Sequence, residues 1–292
     1  MIIKQILISI RPYQWVKNLL VFAALFFSLS YHEWANVCNV IFAFFLFCLG
    51  SSAVYIMNDL TDINEDRVHP IKKLRPIASG QLNKNLAVGI VIILLIISLG
   101  SGFYLSRSYF IILSLYIIVN IGYSNGLKKI VILDVFILSI GFLLRAIAGA
   151  VVISVEASPW LFICTLMLAL LLGFGKRYNE LKTLSLDAEK HRKSLKEYSL
   201  SFLEKLMVIS AATAAVTYSL YTVSNETVDR LHSMSLIYTS PMVLFGIFRY
   251  LFLVFEKGRG GDPTKVILLD LQMIMNFILW TITVFLILSG IF

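Results

Sequence analysis

Nine stretches of roughly 17 to 25 mostly apolar residues follow one another along the chain, each long enough to cross a ~30 Å hydrocarbon core as a helix. They fall near 14–31, 37–57, 85–105, 107–122, 131–153, 158–175, 204–223, 233–255 and 268–290. The fourth is the weakest, because Asn120 interrupts it. Backbone groups in lipid must be satisfied within the segment, and runs this uniformly apolar do not alternate as barrel strands do. The expected fold class is therefore an all-α polytopic membrane protein with about nine transmembrane helices. A hydrophobic content of 59% and a mean hydropathy of +0.85 agree, since a soluble chain of 292 residues must wet its exterior.

The loops between the runs alternate in basic content. Twenty-one of the 25 Lys and Arg lie in the segments before the first run and after the second, fourth, sixth and eighth runs or at their mouths. The opposite loops hold only Arg107 and Arg230, while Arg145 and Arg249 fall inside spans. The positive-inside rule then places the N-terminus of this multi-pass chain in the cytoplasm, and a bacterial inner membrane is the expected location. The net charge of +8 reports orientation, and no nucleic-acid module accompanies it. No cleavable signal is expected, because Tyr31-His32-Glu33 rather than small residues follow the first run. Cys38, Cys48 and Cys164 lack metal-ligand spacing and read as small buried hydrophobes. No linker divides the chain, which reads as one domain, 1–292, with cytoplasmic loops 58–84 and 176–205 capping a site.

The end of the second run carries the chemistry. In Asn58-Asp59-Leu60-Thr61-Asp62-Ile63-Asn64-Glu65-Asp66, continuing the helix at ~100° per residue puts Asn58, Asp62 and Asp66 on one face, with Asp59 and Glu65 near it. Carboxylates so gathered repel unless a cation joins them, and hard oxygen donors suit Mg²⁺ held together with substrate phosphates. The plainer reading is a solvated helix end. His69-Pro70 follows, then Lys72 and Arg75, so that acids for a metal precede cations for phosphate oxygens. His69 reads equally well as a phosphate contact and as a loop hydrogen bonder.

The pattern N-D-x-x-D-x-x-x-D followed by R-P resembles the first aspartate-rich motif of the UbiA superfamily of membrane prenyltransferases. The fuller form, continuing through His69-Pro70, Lys72 and Arg75-Pro76-Ile77-Ala78-Ser79-Gly80, resembles the decaprenyl-phosphate phosphoribosyltransferase branch. Further matches are Arg11-Pro12-Tyr13-Gln14-Trp15-Val16-Lys17-Asn18, Tyr123-Ser124 with Leu127-Lys128 and Asp134, Gly141-Phe142 with Arg145, and Gly173-Phe174-Gly175-Lys176-Arg177-Tyr178-Asn179-Glu180-Leu181. The resemblance implies a UbiA-like helical bundle with a Mg²⁺-diphosphate site on the cytoplasmic face. It also implies transfer of 5-phosphoribosyl from phosphoribosyl diphosphate (PRPP) to a polyprenyl phosphate, decaprenyl in the resembling branch, feeding cell-wall biosynthesis.

On that reading Asp59, Asp62, Asp66, Lys72 and Arg75 are catalytic, with Asn58, Asp59, Asp62 and Asp66 as metal ligands. Lys17, Asn18, Asn58, Tyr123, Lys128, Asp134, Arg145, Lys176 and Arg177 are expected to bind substrate. Relatives that use a prenyl diphosphate carry a second aspartate motif after the sixth helix. Here that loop holds Glu180, Asp187 and Glu189 without such a run, among Lys182, Lys190, Arg192, Lys193 and Lys196. A basic loop suits phosphomonoesters, though the same cations also serve orientation and lipid head groups. Asp262 is expected to cap a helix, Asp270 to face the cavity, and Arg249 to snorkel towards the cytoplasm. The rivals are an aromatic prenyltransferase, disfavoured by the missing second motif, and a transporter, disfavoured by acids gathered at a membrane edge. Homo-oligomerisation is left open.

Overall fold

The structure, a computed structural model, describes residues 2–156, 158–184, 193–231 and 233–291. The described residues form helices and connecting turns without a strand. Eight helices are long and apolar enough to cross a membrane, and they match eight of the nine expected runs. The run expected at 14–31 is not among them. Residues Pro12–Phe22 form a 3-10 helix that runs directly into a short α-helix, Ala23–Phe27. A 3-10 helix rises ~2.0 Å per residue against ~1.5 Å for an α-helix, so these residues extend about 30 Å, roughly the hydrocarbon thickness. Asn120 does not break the fourth span: its amide donates to the Tyr116 carbonyl one turn back (2.8 Å).

The chain divides into two compact units, Met1–Ala157 with Lys190–Ser194, and Ser158–Glu189 with Leu195–Phe292. In the first, α1 (Ile2–Ile10) leads into the 3-10 segment and α2 (Ala23–Phe27). Then come α3 (Trp34–Thr61), α4 (Ile63–Val68), α5 (Lys84–Leu105), α6 (Arg107–Ser124) and α7 (Leu133–Val152). Helix α3 is the hub, packed against the 3-10 segment, α5, α6 and α7. Val40, Ala43, Phe47, Tyr109, Leu113, Tyr116 and Leu144 form its core, and the Tyr109 hydroxyl donates to the Ala43 carbonyl (2.7 Å). Asn83 and Ser106 cap α5 and α6, which is why the chain turns there. The 3-10 segment lies against α7 only because residue 149 is glycine: a Cβ there would sit 1.8 Å from the Val21 carbonyl oxygen.

The second unit holds α8 (Pro159–Leu184), α9 (Leu200–Val223), α10 (Asn225–Leu231), α11 (Ser240–Phe255), α12 (Pro263–Leu269) and α13 (Leu271–Leu288). Helices α8 and α9 share the largest contact. Asp262 caps α12 as expected, its Oδ1 accepting from Thr264 N (3.2 Å). Asp270 caps α13 through Met273 N (3.1 Å) and also binds Arg249 with both carboxylate oxygens (3.1 and 2.8 Å). Arg249 thus reaches the residue that opens α13, at the end of the basic loop after α11. Its charge is met within the unit, and its guanidinium holds the Asp270 carboxyl below the usual carboxylate range.

Candidate functional site

The acidic stretch lies where α3 runs on to Thr61, four residues past its expected end. The helix does not continue unbroken. Asp62 leaves helical geometry (φ −94°, ψ 13°) and α4 starts anew at Ile63, although Asp66 N still donates to the Asp62 carbonyl (2.8 Å). The break is confined to this one residue, and Asp59 and Asp66 on either side of it still share one cation. Asp59 and Asp66 are buried, each 2% exposed, Asp62 is half-buried and Glu65 points outward.

Each of the three aspartates meets a cation. Arg11 Nη2 donates to both oxygens of Asp59 (2.5 and 2.8 Å). Arg75 Nη1 bridges Asp59 Oδ1 (3.0 Å) and Asp66 Oδ2 (2.6 Å). Lys128, from the α6–α7 turn, binds Asp62, and Ser124 donates to Asn58. Carboxylates this buried are tolerated only when paired, and here the pairing is one for one.

Local folding puts each cation in place. In the Arg75 loop, Ile77 and Leu82 are buried in the cluster that Ala53, Ile56, Ile63 and Ala87 form, so apolar burial fixes the guanidinium over two acids. Pro76 O accepts from Leu82 N (2.9 Å), closing the loop, and Gly80 supplies the positive φ (79°) that the turn requires. His69 resolves as a loop hydrogen bonder, its Nδ1 accepting from Ile71 N (3.1 Å) and Lys72 N (3.3 Å). The Lys72 side chain is half-buried beside it. Arg11 sits at the junction of α1 and the 3-10 segment with φ 55°, uncommon for a residue with a side chain.

Of the other expected substrate contacts, Arg145 and Asn18 are bound to one another within the first unit. Arg145, 4% exposed, donates to Asn18 Oδ1 (2.7 Å), the Gly141 carbonyl (2.6 Å) and the Tyr116 hydroxyl (3.0 Å), beneath Phe47, Tyr116 and Phe142. Asn18 is buried and donates to Cys48 Sγ (3.2 Å) and Ser51 Oγ (3.1 Å). Arg145 and Asn18 thus tie the 3-10 segment to α3, α6 and α7. Asp134, at the start of α7, is buried and accepts from Ser194 Oγ (3.3 Å), and Tyr123 is buried. Lys17 is half-buried. In the second unit, Arg177 is fully buried against Glu180 (2.6 Å), whereas the Lys176 side chain is 41% exposed. Asp187, Glu189, Lys190 and Arg192 lie outside the described residues.

Site reasoning from the sequence passed over two residues that the structure brings in, Arg11 and Ser124. Both stand in family-like motifs, but neither spacing nor charge alone connects residue 11 to residue 59.

The donor chemistry fits a divalent metal, since three carboxylates and an amide oxygen are hard donors. Among the described residues no three His, Cys, Asp or Glu side chains converge on one point. Mg²⁺ is ordinarily held by one or two carboxylates plus phosphate oxygens, so these residues suit a metal that arrives with a diphosphate rather than a preformed cage.

The model of the UbiA prenyltransferase family matches residues 19–278. A decaprenyl-phosphate phosphoribosyltransferase of Mycolicibacterium smegmatis is 34% identical over 286 residues, covering 94% of this chain and 90% of the relative. Its namesake in Corynebacterium glutamicum is 33% identical over 270 residues, covering 90% and 80%. Among solved structures, a UbiA homolog from Archaeoglobus fulgidus bound to GPP and Mg²⁺ superposes with a TM-score of 0.72 at 16% identity, covering 98% of this chain and 99% of that one, a likeness of fold. The chain belongs to the UbiA prenyltransferase family.

Proposed function

We propose that this protein transfers the 5-phosphoribosyl group of PRPP to a polyprenyl phosphate, decaprenyl phosphate being the acceptor named for its relatives, with release of diphosphate. The observation that carries the reading is the buried set of paired aspartates and cations at the end of α3, in a chain about a third identical, over most of its length, to enzymes of that name.

Asn58, Asp59, Asp62 and Asp66 would hold Mg²⁺, which when bound shields the diphosphate and makes it a better leaving group. Arg75 and Lys128 already lie within hydrogen-bond reach of these carboxylates and are placed to share the charge of phosphate oxygens beside them. Lys72, in the same loop, adds a third donor. Positive charge develops at ribose C1 as its bond to the diphosphate oxygen breaks, as in other glycosyl transfers. The acceptor phosphate oxygen is anionic near neutral pH, so no general base is needed. In-line attack inverts the anomeric centre. Orientation follows the basic loops, with the N-terminus and the site on the cytoplasmic side.

The test is turnover by purified protein in detergent with labelled PRPP, polyprenyl phosphate and Mg²⁺. The expected product is a labelled lipid, abolished by EDTA and restored by Mg²⁺. Activity with a prenyl diphosphate and an aromatic acid, with no use of PRPP, would instead make the protein an aromatic prenyltransferase.

A further inference from the structure

Arg11 belongs to no expected ligand set, yet it makes the closest cation contact to Asp59, one of the two buried acids of the site. One nitrogen of its guanidinium reaches both oxygens of Asp59, where a hard metal would bind. The backbone is shaped for this contact. Arg11 takes φ 55° and ψ 59°, a conformation that costs a side-chain-bearing residue about 1–2 kcal/mol. The turn is pinned on both sides. Ser52 Oγ donates to the Ile10 carbonyl (2.9 Å), Trp15 Nε1 donates to Ser52 Oγ (3.0 Å), and Gln14 N donates to the Arg11 carbonyl (2.9 Å). The guanidinium also lies over the Tyr55 ring, one turn of α3 before Asp59, 5.4 Å from its centroid. Asp59 is additionally bound by Arg75, which it shares with Asp66, so it keeps a cation contact when Arg11 leaves. The side chain keeps 18% exposure, which leaves it a direction in which to move, whereas Asp59 keeps 2%.

We propose that Arg11 is a partner-exchanging cation. In the ligand-free site it occupies Asp59 and opposes metal binding there. When a metal and a diphosphate arrive together, Asp59 turns to the metal and Arg11 passes to a phosphate oxygen. The consequence is ordered loading: metal alone is held weakly, and metal with diphosphate is held well. Before the exchange the guanidinium pairs with a carboxylate, and after it with a phosphate, so no charge is left buried and alone. The inference rests on the metal-dependent diphosphate chemistry proposed above.

Two binding measurements on the full chain in detergent test it without turnover. Mn²⁺ alone is titrated and free metal read by electron paramagnetic resonance. Labelled inorganic diphosphate is then dialysed against the protein with and without excess Mg²⁺. Arg11→Gln removes a unit charge a few ångströms from the metal position, and is expected to bind Mn²⁺ about tenfold tighter. It is expected to bind diphosphate with Mg²⁺ about tenfold more weakly, as a lost charge-assisted contact requires. The two affinities move in opposite directions, which damage to the fold cannot produce. If Arg11→Gln does not yield a monodisperse protein, Arg11→Lys carries the test. Its single ammonium grips a carboxylate less firmly than a guanidinium, so Mn²⁺ binds tighter than in wild type while diphosphate binding falls. A variant whose Mn²⁺ affinity is unchanged or weaker overturns the role of Arg11 alone. Wild-type protein that retains diphosphate equally with and without Mg²⁺ overturns the metal-dependent reading beneath it.

Discussion

Arg75 is the residue whose removal reads out most about the site. It is the partner bound to Asp66 at 2.6 Å, and it also supports Asp59. Arg75→Leu keeps much of the side-chain bulk and leaves the Asp66 carboxylate, whose side chain is 3% exposed, without its cation. Breaking a buried pair by removing one partner costs about 3–5 kcal/mol. The Arg75 side chain is 29% exposed, so water screens part of that loss, and about 2–4 kcal/mol is the reasonable range. At about 2–4 °C per kcal/mol for a folding unit of this size, the midpoint of thermal unfolding in detergent should fall by about 4–16 °C in EDTA. Asp66→Asn in the same background should restore most of it, because the stranded charge is gone. Mg²⁺ should also raise the midpoint of Arg75→Leu, and by more than it raises wild type, since a metal takes over the missing cation's place. An Arg75→Leu protein as stable as wild type in EDTA, or one that Asp66→Asn does not rescue, would refute the pairing of Arg75 with a buried, ionised Asp66.

Three further outcomes are expected. Gly149→Ala drives a methyl group into the Val21 carbonyl, which overpacking values put at about 1–3 kcal/mol or more, and it should lower the unfolding midpoint and activity together as the 3-10 segment lifts from α7. In a cysteine-free background, Gln81→Cys should label only from the cytoplasmic side and Glu226→Cys only from the other; both positions are exposed. The carboxyl of Asp270 is held low by Arg249, so that pair stabilises the fold above the unfolded value of ~3.9 and loses its contribution as pH falls through the lower folded value. Arg249→Met should therefore be less stable than wild type at pH 7, with the gap closing below about pH 4, as chemical-denaturation midpoints would report.

What the sequence determined by itself was whatever depends on composition along the chain. Hydrocarbon thickness sets the length of an apolar run, so eight spans fell close to their expected positions. The Asn58–Asp66 motif was legible because helical periodicity relates residues three and four apart, and the Asp262 cap because capping is local. The tertiary structure decided what periodicity cannot carry. The first run became a 3-10 segment because Gly149 admits its backbone and because Asn18 bonds to α3 and to Arg145. The helix broke at Asp62, and Arg75 from the following loop bridged the acids on either side of the break. Arg145 and Arg249, costly charges within spans, turned out to be held by Asn18 and Asp270, partners 127 and 21 residues away in the chain. Arg11 and Asp59 stand 48 residues apart, and no sequence spacing marks them as a pair. A buried charge is stabilised by whichever opposite or polar group packing brings within about 3 Å, and only the folded chain fixes that neighbour.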